Sequence, residues 1–443
     1  MKIFIAGAGA VGTHLAKLFV DSNHAVTLMD EREKLDAFDS HVDLLKFEGV
    51  MTSVDDLEEA MVGESDLFIA VPPYPDMSLL ACILAKRLGA KLTVARVNTS
   101  EYMVPKIRAL YKSLGVEEII YPEQLGAQEA LESIKRVGIR QIYEFSNGEL
   151  ILAAIKLRSN APLVGHTFGE TAEMHAGKYN VVAIFRDGET IIPHGSSQFE
   201  HGDLGYFVTT RDVLPQVLND AGKEQYEIKE VMILGGSRIG QRIAMGLGDY
   251  NVRLIELNRE KSERLADKLE NVLVINGDGR NLDLLKDEGI RKMDAFIAVT
   301  GSSEVNLLAC QLAKKMGVRK TVAEVENLDY LPLAEEIGIG TIINKKLIAA
   351  GYIYRYTLHA HVAYAKCLTS TNAEMLELVA QPNSKITKSP LRELNLPKDM
   401  NVGGLIRDGK AIIVSGNTQV EVYDKVVVFA MQSSLAKIEK LFN

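Results

Sequence analysis

Residues 3–12 read IFIAGAGAVG and residues 231–240 read VMILGGSRIG. Each opens as an apolar run that predicts a strand and closes on tightly spaced glycines, Gly7, Gly9 and Gly12 in the first, Gly235, Gly236 and Gly240 in the second. Glycines in this pattern between a strand and a helix mark a dinucleotide-type turn. The first permits the sharp reversal, the second lets a pyrophosphate approach the backbone, and the third lets the helix lie close on the sheet. The free amides at the start of that helix then face the anion. Following the first turn, VGTHLAKLFV (11–20) predicts the helix and AVTLMD (25–30) a second strand ending on Asp30, where a carboxylate accepts from ribose hydroxyls. It also repels a 2′-phosphate, which favours NAD(H) or an adenine nucleotide over NADP(H), although Arg32 nearby works against that discrimination.

The second turn departs from the first at informative places. Ser237 stands where the first copy has Gly9, so a side chain occupies the place of the pyrophosphate, while its hydroxyl can still donate and Arg238 adds positive charge. The acid ending the next strand is Glu256. Further on, AVP supplies Pro72 where AVT supplies Thr300, and ARV supplies Arg96 where AEV supplies Glu324. Ligands on parallel sheets bind at the carboxyl ends of the strands, so these positions are expected at the cleft. Arg96 favours a polyphosphate through charge-assisted hydrogen bonds, and Glu324 opposes one.

The chain is duplicated. DLFIAVPPYPDMSLLACILAKRLGAKLTVARVNTSEY (66–102) aligns without a gap on DAFIAVTGSSEVNLLACQLAKKMGVRKTVAEVENLDY (294–330), in the same offset that places Gly7 on Gly235. A smaller unit recurs as well: VVAIFRDGETIIPHG (181–195) matches VGGLIRDGKAIIVSG (402–416), each with an Asp-Gly pair between apolar runs, a strong hairpin signal. Short β-rich runs, GDLGYFVTT and YDKVVVFAM, follow. Alternating strand and helix patterns in the large units predict doubly wound parallel sheets. The expected architecture is α/β: a Rossmann-like unit over 1–140, a small α+β unit over 141–222, a second Rossmann-like unit over 229–366 and a second small α+β unit over 367–443, with NDAGKEQYEIKE (219–230) as linker. Helical stretches over 122–138 and 345–368 are expected to join large unit to small, and the apolar character of the latter predicts a partner surface.

Composition narrows the function. With 443 residues, 47% hydrophobic and 25% charged, the chain is globular, and no apolar run reaches the roughly 18 residues of a membrane span. The N-terminus enters a strand at once, with no secretory pattern, so a cytoplasmic location is expected. A net charge of −9 disfavours nucleic acid as a partner. Cys82, Cys310 and Cys367 form no CxxC pair and read as buried thiols, not a metal or disulfide framework. His194 and His201 have no counterparts in the repeat, His359 and His361 are not at metal-pair spacing, and His14 and His24 flank the first helix as surface residues. No constellation for acid–base, nucleophilic or metal chemistry emerges, which argues against an enzyme. An NAD-dependent oxidoreductase remains the alternative from another class.

The glycine turn, Asp30, FIAVTGSSEVNLLACQLAKKMG, IRDG and YDKVVVF together resemble the TrkA family, the peripheral subunits of bacterial Trk potassium-uptake systems, across essentially the whole chain. The family carries two RCK domains, each with a nucleotide-binding part and a ligand-sensing part. The resemblance implies a homo-oligomer, a tetramer forming a gating ring at the inner face of the cell membrane against a membrane-embedded potassium channel subunit, with NAD(H) and ATP or ADP as regulatory ligands. An RCK-type regulator of another ion transporter, such as an antiporter, is a further alternative. By matching position, the first site comprises Gly7, Ala8, Gly9, Ala10, Val11, Gly12, Asp30, Pro72, Pro73 and Arg96; the second comprises Gly235, Gly236, Ser237, Arg238, Ile239, Gly240, Glu256 and Thr300. PPYPD departs from the family's usual threonine at the position of Pro72.

Overall fold

The computed structural model describes residues 1–38, 42–175, 177–224, 226–354, 356, 362–367, 373–431 and 434–442, with side chains undescribed at 362–367, 436 and 439. His359 and His361 lie outside the described residues, as does the side chain of Cys367. The chain forms two compact bodies, one made of Met1–Leu125 with Lys345–His359 and the other of Gly126–Asn344 with Ala360–Asn443.

In the first body, a six-stranded parallel sheet forms from β1 (Lys2–Ala6), β2 (Ala25–Asp30), β3 (Leu45–Glu48), β4 (Leu67–Ala70), β5 (Leu92–Arg96) and β6 (Glu118–Ile120), with the inner apolar strands β1 and β4 buried on both faces. The order is β3-β2-β1-β4-β5-β6, with helices α1 (Ala10–Asp21), α2 (Arg32–Asp36), α3 (Val54–Glu59), α4 (Pro75–Leu88) and α5 (Pro105–Ser113) between strands and α6 (Pro122–Lys135) leading out. This is the dinucleotide-fold order, with the crevice between β1 and β4, where successive connections leave in opposite directions.

The antiparallel sheet that follows contains β7 (Gln141–Phe145), β8 (Leu150–Lys156), β9 (Asn180–Arg186), β10 (Glu189–Ile191) and β11 (Leu204–Thr209), with α7 (Phe168–Met174) and α8 (Leu214–Asp220). A second parallel sheet, β14-β13-β12-β15-β16-β17, repeats the first. It is built from β12 (Glu230–Leu234), β13 (Asn251–Glu256), β14 (Val272–Asn276), β15 (Ala295–Ala298), β16 (Lys320–Glu324) and β17 (Thr341–Ile343). Its helices are α9 (Arg238–Gly246), α10 (Arg259–Lys268), α11 (Leu282–Asp287), α12 (Ser303–Lys315) and α13 (Leu331–Glu336), and α14 (Lys345–Tyr354) leads out. The last sheet, β18 (Val362–Cys367), β19 (Ala373–Val379), β20 (Met400–Arg407), β21 (Lys410–Ile413) and β22 (Lys425–Met431), repeats the first antiparallel one and ends in α15 (Leu435–Phe442).

The helical reading of 345–368 is corrected: the helix stops at Tyr354 and Val362–Cys367 is a strand paired antiparallel with β19. The apolar face of α14 is also covered within the chain. Ala349, Ala350, Gly351, Ile353 and Tyr354 are buried, the Tyr354 ring stacks on Phe19 of α1 at 5.9 Å, and its hydroxyl donates to Ser22 Oγ at 3.2 Å. In the second body, α6 meets α9, where a side chain on Gly246 would come within 2.5 Å of Leu131. Each joining helix therefore packs on the first helix of the opposite copy's Rossmann unit.

The Asp-Gly hairpins form as the sequence predicts. Asp187 (φ 50°) and Gly188 (φ 86°) join β9 to β10, and Asp408 (φ 50°) and Gly409 (φ 76°) join β20 to β21, the two successive positive φ values of a type I′ turn. The arginine before each turn is clamped. Arg186 Nε and Nη2 donate to the two oxygens of the buried Asp203 at 2.7 and 2.8 Å, and Arg407 does the same to Asp424 at 3.0 and 2.7 Å. Each clamp binds the hairpin strand to β11 or β22, the central strand of its sheet. Glu200 also contacts Arg186 but is solvent-exposed. Removing the carboxylate leaves a guanidinium without its buried partner, so Asp203→Ala and Asp424→Ala are each expected to cost about 3 kcal/mol. Glu200→Gln is expected to cost under about 0.5 kcal/mol; calorimetric unfolding of the three variants measures the contrast.

Candidate nucleotide-binding site

The three glycines of the first turn have different reasons for being glycine. Gly7 adopts φ +116° and donates its N–H to Met29 O at 2.8 Å, and a side chain there would crowd the backbone of Val71 and Pro72 at 3.1–3.2 Å. A Cβ on Gly12 would lie 1.8 Å from Gly7 O. Gly9 differs: its φ is −73°, which any residue adopts, and a Cβ there meets nothing within 4 Å. The protein itself does not require glycine at position 9; an open space above the turn does. Gly9 is also the N-cap of α1, with no side chain capping the helix and no acid in its first turn, so the leading amides are left for an acceptor from outside. Ala10 is exposed at the start of α1, whereas the side chains of Ala8 and Val11 are buried, so these residues offer backbone.

Asp30 closes the turn from the side. Its carboxylate, 6% exposed, accepts the Ala8 N–H at 2.7 Å, the Glu31 N–H at 2.8 Å and Lys34 Nζ at 3.0 Å. The bond to Asp30 raises the Lys34 ammonium above its ordinary value. An ionised carboxylate has about four acceptor sites, so this bonding leaves capacity toward the cleft. Across the crevice, Ser78 of α4 ties two strand ends together, donating to Ala70 O at 2.7 Å and accepting the Arg96 N–H at 2.9 Å. Arg96 is half-buried at the end of β5, and its guanidinium makes no hydrogen bond or ion pair among the described residues. Pro72 is buried behind Gly7; Pro73 is exposed and its carbonyl accepts from Asn98 Nδ2 at 3.2 Å. The structure thus gathers the glycine turn, Asp30, the 71–74 loop and Arg96 at one end of the sheet.

The second turn has the same frame, with one leading amide of its helix capped from within. Gly235 takes φ +104° against the Val299 carbonyl, and a Cβ on Gly240 would lie 2.1 Å from Gly235 O. Ser237 does more than crowd the turn: its Oγ accepts the Gly240 N–H at 3.2 Å, capping α9 from within. Gln241 Nε2 donates to Gly236 O at 3.0 Å and is itself held by Lys268. Glu256 accepts from Gly236 N at 3.0 Å, Asn258 N at 3.0 Å and Lys261 Nζ at 2.6 Å. Burial pushes the Glu256 carboxyl up, but Lys261 and the two amides outweigh it, and the net shift is downward. Thr300 is occupied too, its N–H and Oγ1 both donating to the fully buried Asn306 at 2.9 and 2.7 Å, and Ser302 caps α12. Ile239 and Glu324 are buried, and only Arg238 stands exposed.

Sequence reading did not single out Lys34, Lys261 or the pair Ser78 and Asn306. The last two occupy matched places in DMSLLAC and EVNLLAC, polar residues in an otherwise apolar helix face, and that mismatch was their signal. The remaining chemistry lies elsewhere. Cys82 and Cys310 are fully buried, and burial pushes the Cys310 thiol up to about 12 and that of Cys82 higher. His14 and His24 are half-buried, not surface residues; burial, then Lys346 and Lys17, lowers His14.

Two open-sheet Rossmann units, each trailed by an antiparallel sheet and together offering one open and one self-capped glycine turn, define a duplicated chain of the nucleotide-binding fold class. The TrkA-N domain matches residues 3–122 and 231–345 and the TrkA-C domain residues 152–222 and 375–443. The chain belongs to the TrkA family. It is 30% identical to the Trk system potassium uptake protein TrkA of Vibrio alginolyticus over 453 aligned positions, 100% of this chain and 99% of the relative. Among solved structures, the GsuK channel bound to NAD matches with a TM-score of 0.63 at 15% identity, over 100% of this chain and 78% of that one. GsuK bound to ADP matches at 0.50 and 13%, over 80% and 68%.

The glycine geometry makes a direct prediction. Gly12→Ala is expected to destabilise the first body by about 3 kcal/mol or to prevent its folding, whereas Gly9→Ala is expected to shift stability by no more than about 0.5 kcal/mol. Thermal unfolding of the two variants checks it.

Proposed function

We propose that the chain is the nucleotide-sensing subunit of a potassium-uptake system, and that ATP, ADP or NAD(H) bound at the first glycine turn biases potassium flux through a membrane-embedded partner. The observation that carries this reading is the empty space over Gly9 beside an uncapped helix and an unengaged Arg96. In this reading the open amides and the Arg96 guanidinium receive the diphosphate oxygens. Asp30 would accept from the ribose hydroxyls. The NAD-bound and ADP-bound GsuK structures share this fold and support both ligand classes. Pro72, Pro73 and the loop they stiffen would border the base or nicotinamide end.

The second turn, Gly235 to Gly240 with Glu256 and Thr300, would be the weaker site. A ligand there must displace Ser237 from Gly240 and finds the buried Glu324 where the first site has Arg96. A ligand at either turn shifts an equilibrium only by its differential affinity for the states involved.

No described helix is long and apolar enough to cross a membrane, which suits a peripheral subunit at the cytoplasmic face. The apolar surface for assembly lies on the Rossmann helices and not on α14. Leu80 of α4 and Leu110 of α5 are 46% and 56% exposed, α5 buries none of its residues, and Leu308 of α12 is 71% exposed. Such patches on two copies per chain suit a ring of several chains, with a tetramer as the expected state.

Titration calorimetry of the full chain tests the reading; half-chains would strip α14 from α1. Wild type is expected to bind ATP and NADH without consuming either. Asp30→Ala should weaken binding by about 1–3 kcal/mol. Gly9→Ser should lower ATP affinity about tenfold or more, and Ser237→Gly should strengthen the second site at a folding cost of a few tenths of a kcal/mol. Steady oxidation of NADH with a carbonyl substrate, or ATP binding indifferent to Gly9→Ser, would overturn the proposal.

A further inference from the structure

Away from both turns, the strap 136–140 leaving α6 crosses a concentration of positive charge in the second body. Lys320 opens β16 buried, 5% exposed, and its Nζ donates to Thr341 Oγ1 at 3.0 Å and to the Ile139 carbonyl at 3.4 Å. Arg140 donates its N–H to Ala154 O at 2.8 Å, which sets it alongside Lys156 at the end of β8. Arg158 bonds through its backbone to Ala221 at 3.3 Å, just before Lys223, and the Cβ of Lys223 lies 3.3 Å from where a side chain on Gly138 would begin. Five cations therefore meet around one strap. Glu335 lies 3.8 Å from Arg140, the buried Tyr206 ring faces both, and Tyr226 faces Arg158 with Asp294 beyond it. Lys156, Arg158 and Lys223 make no side-chain hydrogen bond or ion pair among the described residues.

The environment penalises this charge. Burial, then Arg140 and Lys223, lowers Lys320 to about 7. Burial, then Arg158, Arg140 and Lys156, lowers Lys223 to about 8. Lys156 is lowered by burial and then Arg140, with Glu335 opposing and Lys314 adding to the effect. Desolvated like charges without counterions are costly, and a bound anion relieves both the repulsion and the lost hydration.

We propose that this junction binds a compact tetrahedral oxyanion, a free or esterified phosphate-type group, held by Arg140, Lys156 and Lys223 above the strap with Lys320 beneath it. The anion fastens the segment between α6 and the first small sheet to the second Rossmann sheet, at a place separate from both glycine turns. Sulfate is the direct probe because it does not titrate near neutrality. It is titrated calorimetrically, at constant ionic strength, into the full chain carrying Gly9→Ser, which weakens any contribution from the first turn.

The expected result is one saturable sulfate per chain, with Lys223→Gln and Lys156→Gln each weakening it about tenfold or more. Binding should tighten as pH falls from 9 to 7, because Lys320 and Lys223 gain protons over that range. At pH 8 it should take up protons, seen as a dependence of the heat on the buffer's ionisation enthalpy, because the anion raises their pKa values. Circular dichroism melts without sulfate verify that the variants fold. Displacement by inorganic phosphate or, more readily, by glycerol phosphate separates a free from an esterified ligand. No saturable heat, affinity unchanged in both lysine variants, no proton uptake, or displacement by neither competitor would overturn the assignment.

Discussion

The feature on which the two Rossmann units diverge is the set of backbone amides at the start of the helix after the first strand, and what accepts from them. A helix N-terminus cannot satisfy its own leading donors, so a side chain, water or ligand must. In the first unit Gly9 offers no side chain and α1 is uncapped. In the second, Ser237 turns its hydroxyl onto Gly240 and completes the helix from inside. One hydroxyl marks the difference at the helix start: it accepts the Gly240 N–H in the second turn, and the first turn has no side chain in that role. The neighbouring differences agree with that choice, since Arg96 is unengaged at the first site while Thr300 is held in an Asn306 network at the second.

The acid at the end of the second strand serves both units alike, and this links the site to the fold. Asp30 and Glu256 each accept an amide from the glycine turn and a lysine from the following helix, so the carboxylate that would receive a ribose also holds the turn in shape. Nucleotide binding at the first turn would therefore act on a loop already tied to β2, and through α1 on α14, whose Tyr354 lies on Phe19. The duplicated chain gains from this arrangement. Within each body, the joining helix is covered by the first Rossmann helix there, α14 by α1 and α6 by α9.

Much of this was legible in the sequence because it depends on local backbone demands. Gly7 and Gly12 were readable since their space is filled by the protein itself, and the Asp187-Gly188 and Asp408-Gly409 turns since their positive φ values restrict the residue choice. The strand Val362–Cys367 was not. Residues 352–361 contain no glycine or proline to mark the end of α14, whereas Gly138 marks the end of the equivalent helix, and a short apolar strand beside an apolar helix has no distinguishing period. The roles of Ser78 and Asn306 were hidden for another reason: each acts through hydrogen bonds to backbone groups of other strand ends, which only the folded geometry brings within reach, whereas Lys34 and Lys261 bond carboxylates four and five residues away, across a strand-to-helix turn that has no fixed side-chain spacing.

The central claim is that the first turn is the ligand site and the second is self-satisfied. A crystal structure of the full chain grown with saturating ATP tests it most directly. The account predicts triphosphate density over Gly9 with Arg96 drawn to it, while Ser237 still caps Gly240. Density over Ser237 with an empty first turn, or equal occupancy of both with the serine cap intact, would contradict it.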